Sequence, residues 1–320
     1  AMLVRHVARA QPAVDFRLLV ASAYLGMGAT WHAGLSGSVP LLMATPGHFL
    51  EGTTGLVPLE ATTFSAFNLT LTVVVFVVTA AAVWVMHPAP TAALSVPPED
   101  LASLEQFTPP AAPSGRSFAS WCDHSRLPAS ALGLAGLAWL AGHVAAGGGL
   151  TLDVLNFAFL MAAVLLHGRL ASVMAAGEQG ARLVAGGLLQ FPLYAGMYGV
   201  IEGTGLARVL GEAIARSASA DTLPLALYWY SSVLNYFVPS GGSKWAVEAP
   251  FLIDAAARLG VGLDRVVLAY AWGDMASNLV QPFWALPLLA AARLGFRDIM
   301  GYSALAFALI TGVVSAAFWI

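Results

Sequence analysis

Long unbroken apolar runs separated by short polar joints dominate the chain. A helix that spans a bilayer takes about 20 mostly apolar residues. Runs of that kind lie at 18–43, 66–86, 129–146, 151–167, 181–200, 222–256, 265–290 and 300–320. Phe67–Met86 shows no alternation of apolar and polar positions, which predicts helices and not barrel strands. Three runs are interrupted: 18–43 by AGLSGSVP (33–40), 222–256 by VPSGGSKW (238–245) and 265–290 by ASNLVQP (276–282). Each interruption joins Gly or Pro to Ser, Asn or Gln, a mixture that ends helices.

Two stretches depart from this pattern. Residues 87–128 hold seven prolines between Pro88 and Pro113 and read as a soluble connector. Residues 202–221 place Leu206, Val209, Leu210 and Ile214 on one helical face, with Arg208, Glu212 and Arg216 opposite. That spacing predicts an amphipathic helix at the membrane surface.

The chain carries a degenerate internal repeat. Residues 7–44 and 255–291 both run Ala-Arg, a short loop with Asp and Arg, Ala-Tyr or Ala-Trp, Gly, a polar break and a Pro-Leu-Leu exit. If 222–256 is a re-entrant hairpin, five spans (18–43, 66–86, 129–146, 151–167 and 181–200) lie between the start of one copy and the start of the other, and an odd number inverts one against the other. Inverted repeats with broken helices mark secondary transporters. The second copy is preceded by a hairpin and scaffold spans that the first lacks, so the first repeat is expected to be incomplete. The expected organisation is a remnant of the first repeat (1–86), the connector (87–128) and the second repeat (129–320). The expected fold is an all-α polytopic membrane protein with inverted repeats, a re-entrant hairpin and broken helices.

Composition narrows the class. Of 320 residues, 58% are hydrophobic and 10% charged, against about 25% charged in soluble domains. Fourteen basic residues at a net charge of −3 form no nucleic-acid stripe. One cysteine excludes a disulfide framework. Nine arginines fall on the side of the connector and four on the other, which orients the connector towards the cytoplasm.

Candidate chemistry gathers at the breaks. Lys244 is the chain's one lysine, and a lysine at membrane depth costs about 2.5–3.5 kcal/mol on insertion scales unless it has a partner or a task. Glu248, four residues on, is the partner that helical spacing suggests, and attraction of an anionic substrate by Lys244 or the adjacent backbone is the task. Ser240, Gly241, Gly242 and Ser243 open the second arm of the hairpin, where free N–H groups and hydroxyls suit a carboxylate. Ser36, Gly37 and Ser38 form a similar tip. Asn235 and Gln281 are substrate-contact candidates, while Asp274, Asn278 and His32 are candidates for coupling to Na⁺ or H⁺. No metal site or cofactor motif is present: HExxH and a dinucleotide-type GxGxxG are both missing.

The motifs WHAGLSGSVPLLMATPG (31–47), NYFVPSGGSKWAVEAP (235–250), QPFWALPLL (281–289) and FRDIMGY (296–302) together resemble the short-chain fatty acid transporter family. The resemblance runs from Arg5 to the last span. It implies uptake of short-chain monocarboxylates such as acetoacetate or butyrate, with the lipid bilayer as the other partner and a homodimer as an admissible assembly. It also implies kinship with transporters that pair a scaffold domain with a mobile domain holding two re-entrant hairpins. It carries substrate contact onto Ser36–Ser38 and Ser240–Ser243, with Asn278 and Gln281 at the second break. Family members extend further at the N-terminus, and many have uncharged residues, often Gln, where Lys244 and Glu248 stand. The competing expectations are a truncated, non-transporting membrane protein and an intramembrane acyl-transfer enzyme built on His32 and a serine.

Overall fold

The computed structural model describes residues 2–35, 37–95, 107–113 and 117–320. The secondary structure of the described residues is all helical, with no strand. In chain order the helices are α1 (Met2–Ala10), α2 (Phe16–Ala29), α3 (Ser38–Met43), α4 (Glu51–Thr54), α5 (Ala66–Met86), α6 (Phe118–His124), α7 (Arg126–Ala145) and α8 (Leu152–His167). They continue with α9 (Leu170–Gly203), α10 (Leu206–Ser217), α11 (Leu223–Phe237), α12 (Gly241–Leu259), α13 (Leu263–Ala276), α14 (Leu286–Ala292) and α15 (Phe296–Trp319).

Among the described residues, α5, α7 and α15 are long and apolar enough to cross a membrane. At about 1.5 Å per residue, their 21, 20 and 24 residues reach about 30 Å or more. The bent pair α8 and Leu170–Ala181, at 119°, makes a fourth if it counts as one span. The other expected spans are shorter pieces or, for 181–200, part of the 34-residue α9. Apolar side chains face outward on the spanning helices: Val73, Phe76, Val77 and Trp84 on α5, and Leu134 and Trp139 on α7, are exposed. A soluble protein would bury such a set; in a bilayer it meets lipid.

The chain divides into two compact units. One comprises residues 1–104 and 186–320, the other 105–185. In the smaller unit, α7 packs on α8. A Cβ at Gly133 would lie 2.4 Å from Leu165 Cγ, and one at Gly136 2.2 Å from Met161 Sδ. The two glycines therefore set the close approach of these helices. Gly168 closes α8 at φ 68°, a conformation that favours glycine. The expected connector, 87–128, contains helix α6 near its end, capped by the Ser117 hydroxyl, which accepts from Ser120 N–H.

In the larger unit α13 is the hub. Every residue from Val266 to Ala276 is buried. Helix α11 packs along it, and α15 packs on α2 and α5. The approach of α11 depends on Gly273, where a Cβ would meet the Tyr228 carbonyl oxygen at 2.1 Å. Asp15 anchors the start of α2: its buried carboxylate accepts from the N–H groups of Leu18 (2.8 Å) and Leu94 (2.9 Å).

The three interrupted runs are broken where the sequence places the interruptions. Residues 18–43 become α2, a 3₁₀ turn at Trp31–Ala33 and α3. Residues 222–256 become α11 and α12, parted at 238–240. Residues 265–290 become α13, 3₁₀ turns at Ser277–Leu279 and Phe283–Ala285, and α14. The amphipathic stretch forms α10, which packs on α12.

Candidate functional site

The breaks of two runs meet at a buried cluster. Helix α12 begins at Gly241, and Lys244 lies in its first turn. Its Nζ stands 2.7 Å from Asp274 Oδ1, near the end of α13. Asp274 Oδ2 lies 2.8 Å from His32 Nδ1, on the 3₁₀ turn after α2. His32 Nε2 is 3.0 Å from Ser38 Oγ and accepts the Val39 backbone N–H at 3.0 Å. Lys244, Asp274 and His32 are all buried.

A backbone N–H can only donate, so the Nε2 that it meets is unprotonated. The ring is then neutral, with its proton on Nδ1 facing the Asp274 carboxylate. Further backbone folding frames the ring. A Cβ at Gly37 would collide with the His32 carbonyl oxygen at 2.1 Å. His32 N–H donates to Met275 Sδ at 3.3 Å.

Gly241 closes the cluster from the other side. A Cβ there would lie 2.5 Å from Asp274 Oδ2, 2.5 Å from His32 Cε1 and 2.9 Å from Ser38 Oγ. Nothing larger than hydrogen fits between the head of α12 and the carboxylate. At Gly242 the Cβ would meet Ser38 Cβ at an ordinary 3.7 Å. Helix α12, with 19 residues, presents the positive end of its dipole here. Ser38, Ser240 and Gly242 are half-buried at the rim of the cluster.

The Lys244–Glu248 pairing suggested by helical spacing is replaced by a tertiary one. Lys244 pairs with Asp274, and its Nζ also donates to the Ser231 carbonyl at 3.3 Å. Glu248 instead accepts from the Tyr270 hydroxyl at 2.6 Å. Both α12 residues face α13, so the carboxylate within reach of the ammonium is the one that the hub supplies. Trp245, also buried, donates to Met43 Sδ at 3.3 Å and ties α12 to α3.

The amide candidates form a separate network. Asn235 Nδ2 donates to Ser277 Oγ (3.0 Å) and Asn278 Oδ1 (2.9 Å). Asn278 Nδ2 donates to the Met27 carbonyl (3.2 Å), and Gln281 Nε2 to the Tyr236 carbonyl (3.2 Å). The Tyr24 hydroxyl donates to the Asn278 carbonyl at 2.6 Å. Of the remaining candidates, Ser243 is exposed, Ser240 precedes α12 without a side-chain cap, and Ser36 lies outside the described residues.

Sequence reasoning missed Tyr270, Ser231 and Asn68. Tyr270 lies four residues before Asp274, on the same face of a helix, and that spacing was a usable signal. Asn68 interrupts the head of an apolar run. It accepts from Trp272 Nε1 (2.9 Å) and donates to the Ala33 carbonyl (2.9 Å), bracing α13 and the His32 turn together. Ser231 gave no signal, because its carbonyl is what serves Lys244.

A cavity of about 730 Å³ lies between α9, α10 and α11, lined by Leu210, Ile214, Trp229, Tyr230 and Phe237 among others. The lining residues among the described side chains carry no charge. No group of three His, Cys, Asp or Glu side chains among the described residues is arranged to hold a metal ion.

The chain matches the family model described as "Short chain fatty acid transporter" over residues 1–320. Among curated relatives, a "Putative short-chain fatty acid transporter" of Escherichia coli K12 is 41% identical over 318 residues, covering 98% of this chain and 71% of the relative. A protein of the same name from Haemophilus influenzae is 36% identical over 310 residues, covering 94% and 69%. No solved structure matches. The chain belongs to the short-chain fatty acid transporter family.

Proposed function

We propose that this protein moves short-chain monocarboxylates, of the size of butyrate or acetoacetate, across the bacterial inner membrane by ion-coupled alternating access. The observation that carries this reading is the buried Lys244–Asp274–His32 cluster where the Gly–Ser segments of two broken runs meet. A four-carbon tail gains only a few kcal/mol from burial at about 25 cal/mol per Å². Recognition of so small a substrate leans on its charge, in a dry place where electrostatics is strong. The Ser38 hydroxyl, the Val39 N–H and the N–H groups that head α12 are the donors gathered there. Lys244 holds Asp274 and so sets the charge of the cluster, and does not offer itself free to the anion. The cluster is closed over, so substrate enters when the Ser38 and Gly242 segments part.

Counterflow of labelled butyrate in proteoliposomes tests this reading. Protein-free liposomes set the background, because butyric acid crosses bilayers unaided. Internal unlabelled butyrate should accelerate entry of the label several-fold over that background; no acceleration refutes the reading.

One observation favours a second reading. Ser38 Oγ, His32 and Asp274 stand in the order of a hydroxyl–imidazole–carboxylate relay. Against it, the Val39 N–H occupies the same Nε2 lone pair that would take the Ser38 proton. Hydrolysis of p-nitrophenyl butyrate that is lost in Ser38→Ala would establish the enzyme. Counterflow retained in that variant, with no hydrolysis by the wild type, would exclude it.

A further inference from the structure

We propose that the coupling ion is a proton, that it lodges on His32 Nε2, and that the substrate carboxylate takes over the hydrogen bonds this nitrogen gives up. The inference rests on the transport reading above and names its coupling site.

The argument starts from the acceptor role of Nε2. It receives the Val39 N–H and lies beside the Ser38 hydroxyl, both at 3.0 Å. When Nε2 gains a proton, two N–H donors point at each other across that distance. The new N–H can turn to Ser38 Oγ, but the Val39 N–H then has no acceptor, and both groups are buried. The segment carrying Val39 must then move away, or an acceptor must come between. A carboxylate supplies one: its two oxygens accept from Nε2–H, Val39 N–H and the Ser38 hydroxyl together. Proton and anion thus each lack a stable place without the other.

Charge leads to the same conclusion. The groups facing His32 are Asp274 from α13, with Lys244 of α12 on its other oxygen. Tyr270 of α13 and Glu248 of α12 follow as a hydrogen-bonded pair, and α11 contributes the Ser231 carbonyl to Lys244. Adding one proton and one carboxylate leaves the net charge of this set unchanged. Adding either alone changes the charge of a buried site by one unit. Empty and fully loaded forms therefore carry the same charge, and half-loaded forms do not.

The amide network is a poorer place for Na⁺ in this conformation. The oxygens of Ser277 and Asn278 side chains accept from Asn235, and the Asn278 carbonyl accepts from Tyr24. These three oxygens are already covered by N–H and O–H groups, and Gln281 Oε1 is left as the buried side-chain oxygen of the network without a partner.

The test is calorimetric titration of butyrate into the detergent-purified chain, in buffers of different ionisation enthalpy, between pH 7 and 9. The wild type should take up about one proton per butyrate bound, and its affinity should fall about tenfold per pH unit where the empty site is unprotonated. His32→Gln keeps an acceptor for the Val39 N–H but binds no proton. It should bind butyrate more weakly, with no proton uptake and no pH slope. Wild-type binding without proton uptake, or binding that instead strengthens when Na⁺ replaces K⁺, overturns the proposal. So does a slope that persists in His32→Gln, which would mean that the proton rides on the substrate as butyric acid. Should His32→Gln fail to fold, Ser38→Ala serves: it must lower affinity several-fold and keep the one-proton uptake, and loss of that uptake overturns the proposal. Failure of the wild type to bind butyrate at any pH is a different result, and refutes the transport reading itself.

Discussion

At the scale of single residues, the buried lysine shows which part of the site the sequence could and could not disclose. A lone lysine in an apolar run announces that it has a partner. Which partner is a tertiary fact. Helical spacing favoured Glu248, whereas Asp274, thirty residues on, holds the ammonium at 2.7 Å. Lys244→Met should therefore leave Asp274 buried with only His32 beside it and destabilise the protein by about 3–5 kcal/mol. Adding Asp274→Asn should recover most of that loss, and adding Glu248→Gln should not. Thermal unfolding of the three variants in one detergent decides the matter. Recovery by the Glu248 change alone would reverse the assignment. The glycines were legible as a loop tip, but their unequal importance was not. Gly241→Ala drives a methyl group into Asp274, His32 and Ser38, at a cost of about 1–3 kcal/mol and with loss of butyrate binding, whereas Gly242→Ala has room. Equal binding by the two alanine variants would show that the head of α12 does not sit on the carboxylate.

At the scale of elements, the breaks were the readable part. Gly, Pro and amide clusters inside apolar runs end helices wherever they fall, and all three interrupted runs split at or within a few residues of the expected places. What the hydrophobic pattern could not give was the length of the pieces or their neighbours. Eight apolar runs yield three or four spanning helices among the described residues, because the others are divided or bent. The pattern is also silent on why α13 is the hub, since burial on every side looks the same as exposure to lipid. The close approach of α11 to α13 rests on Gly273 against the Tyr228 carbonyl and Ser231 Cβ. Gly273→Ala should push the two helices apart and cost at least about 1–3 kcal/mol. Gly301→Ala in α15 meets nothing within 4 Å and should be neutral or stabilising by up to about 1 kcal/mol. Equal unfolding temperatures for the two variants would show that α11 is not held by that contact.

At the scale of the whole molecule, a similar order of elements occurs twice. Helix α2 has 14 residues and is followed by a 3₁₀ turn and the short α3; helix α13 has 14 residues and is followed by 3₁₀ turns and the short α14. Whether the two stretches form an inverted pair depends on how many times the chain crosses the membrane between them, and the segment 222–256 is one part of that count. Helix α11, with 15 residues, is about 22 Å long, short of the roughly 30 Å hydrocarbon core. Its far end, Val238 and Pro239, is buried, and Lys244 follows in the first turn of α12. A chain that ends its first arm inside protein, places its charged residue there and continues in a second helix fits a segment that returns to the side it came from. Such a segment adds no crossing to the count. Cys122 is the chain's one cysteine, so Cys122→Ser gives a clean background for Asp221→Cys and Arg258→Cys, both exposed and just outside the two arms. A membrane-impermeant maleimide should label both positions from the same face, in right-side-out and inside-out vesicles alike. Labelling from opposite faces would make 222–256 a crossing. It would also place Lys244 on a path through the membrane and not at the tip of a hairpin.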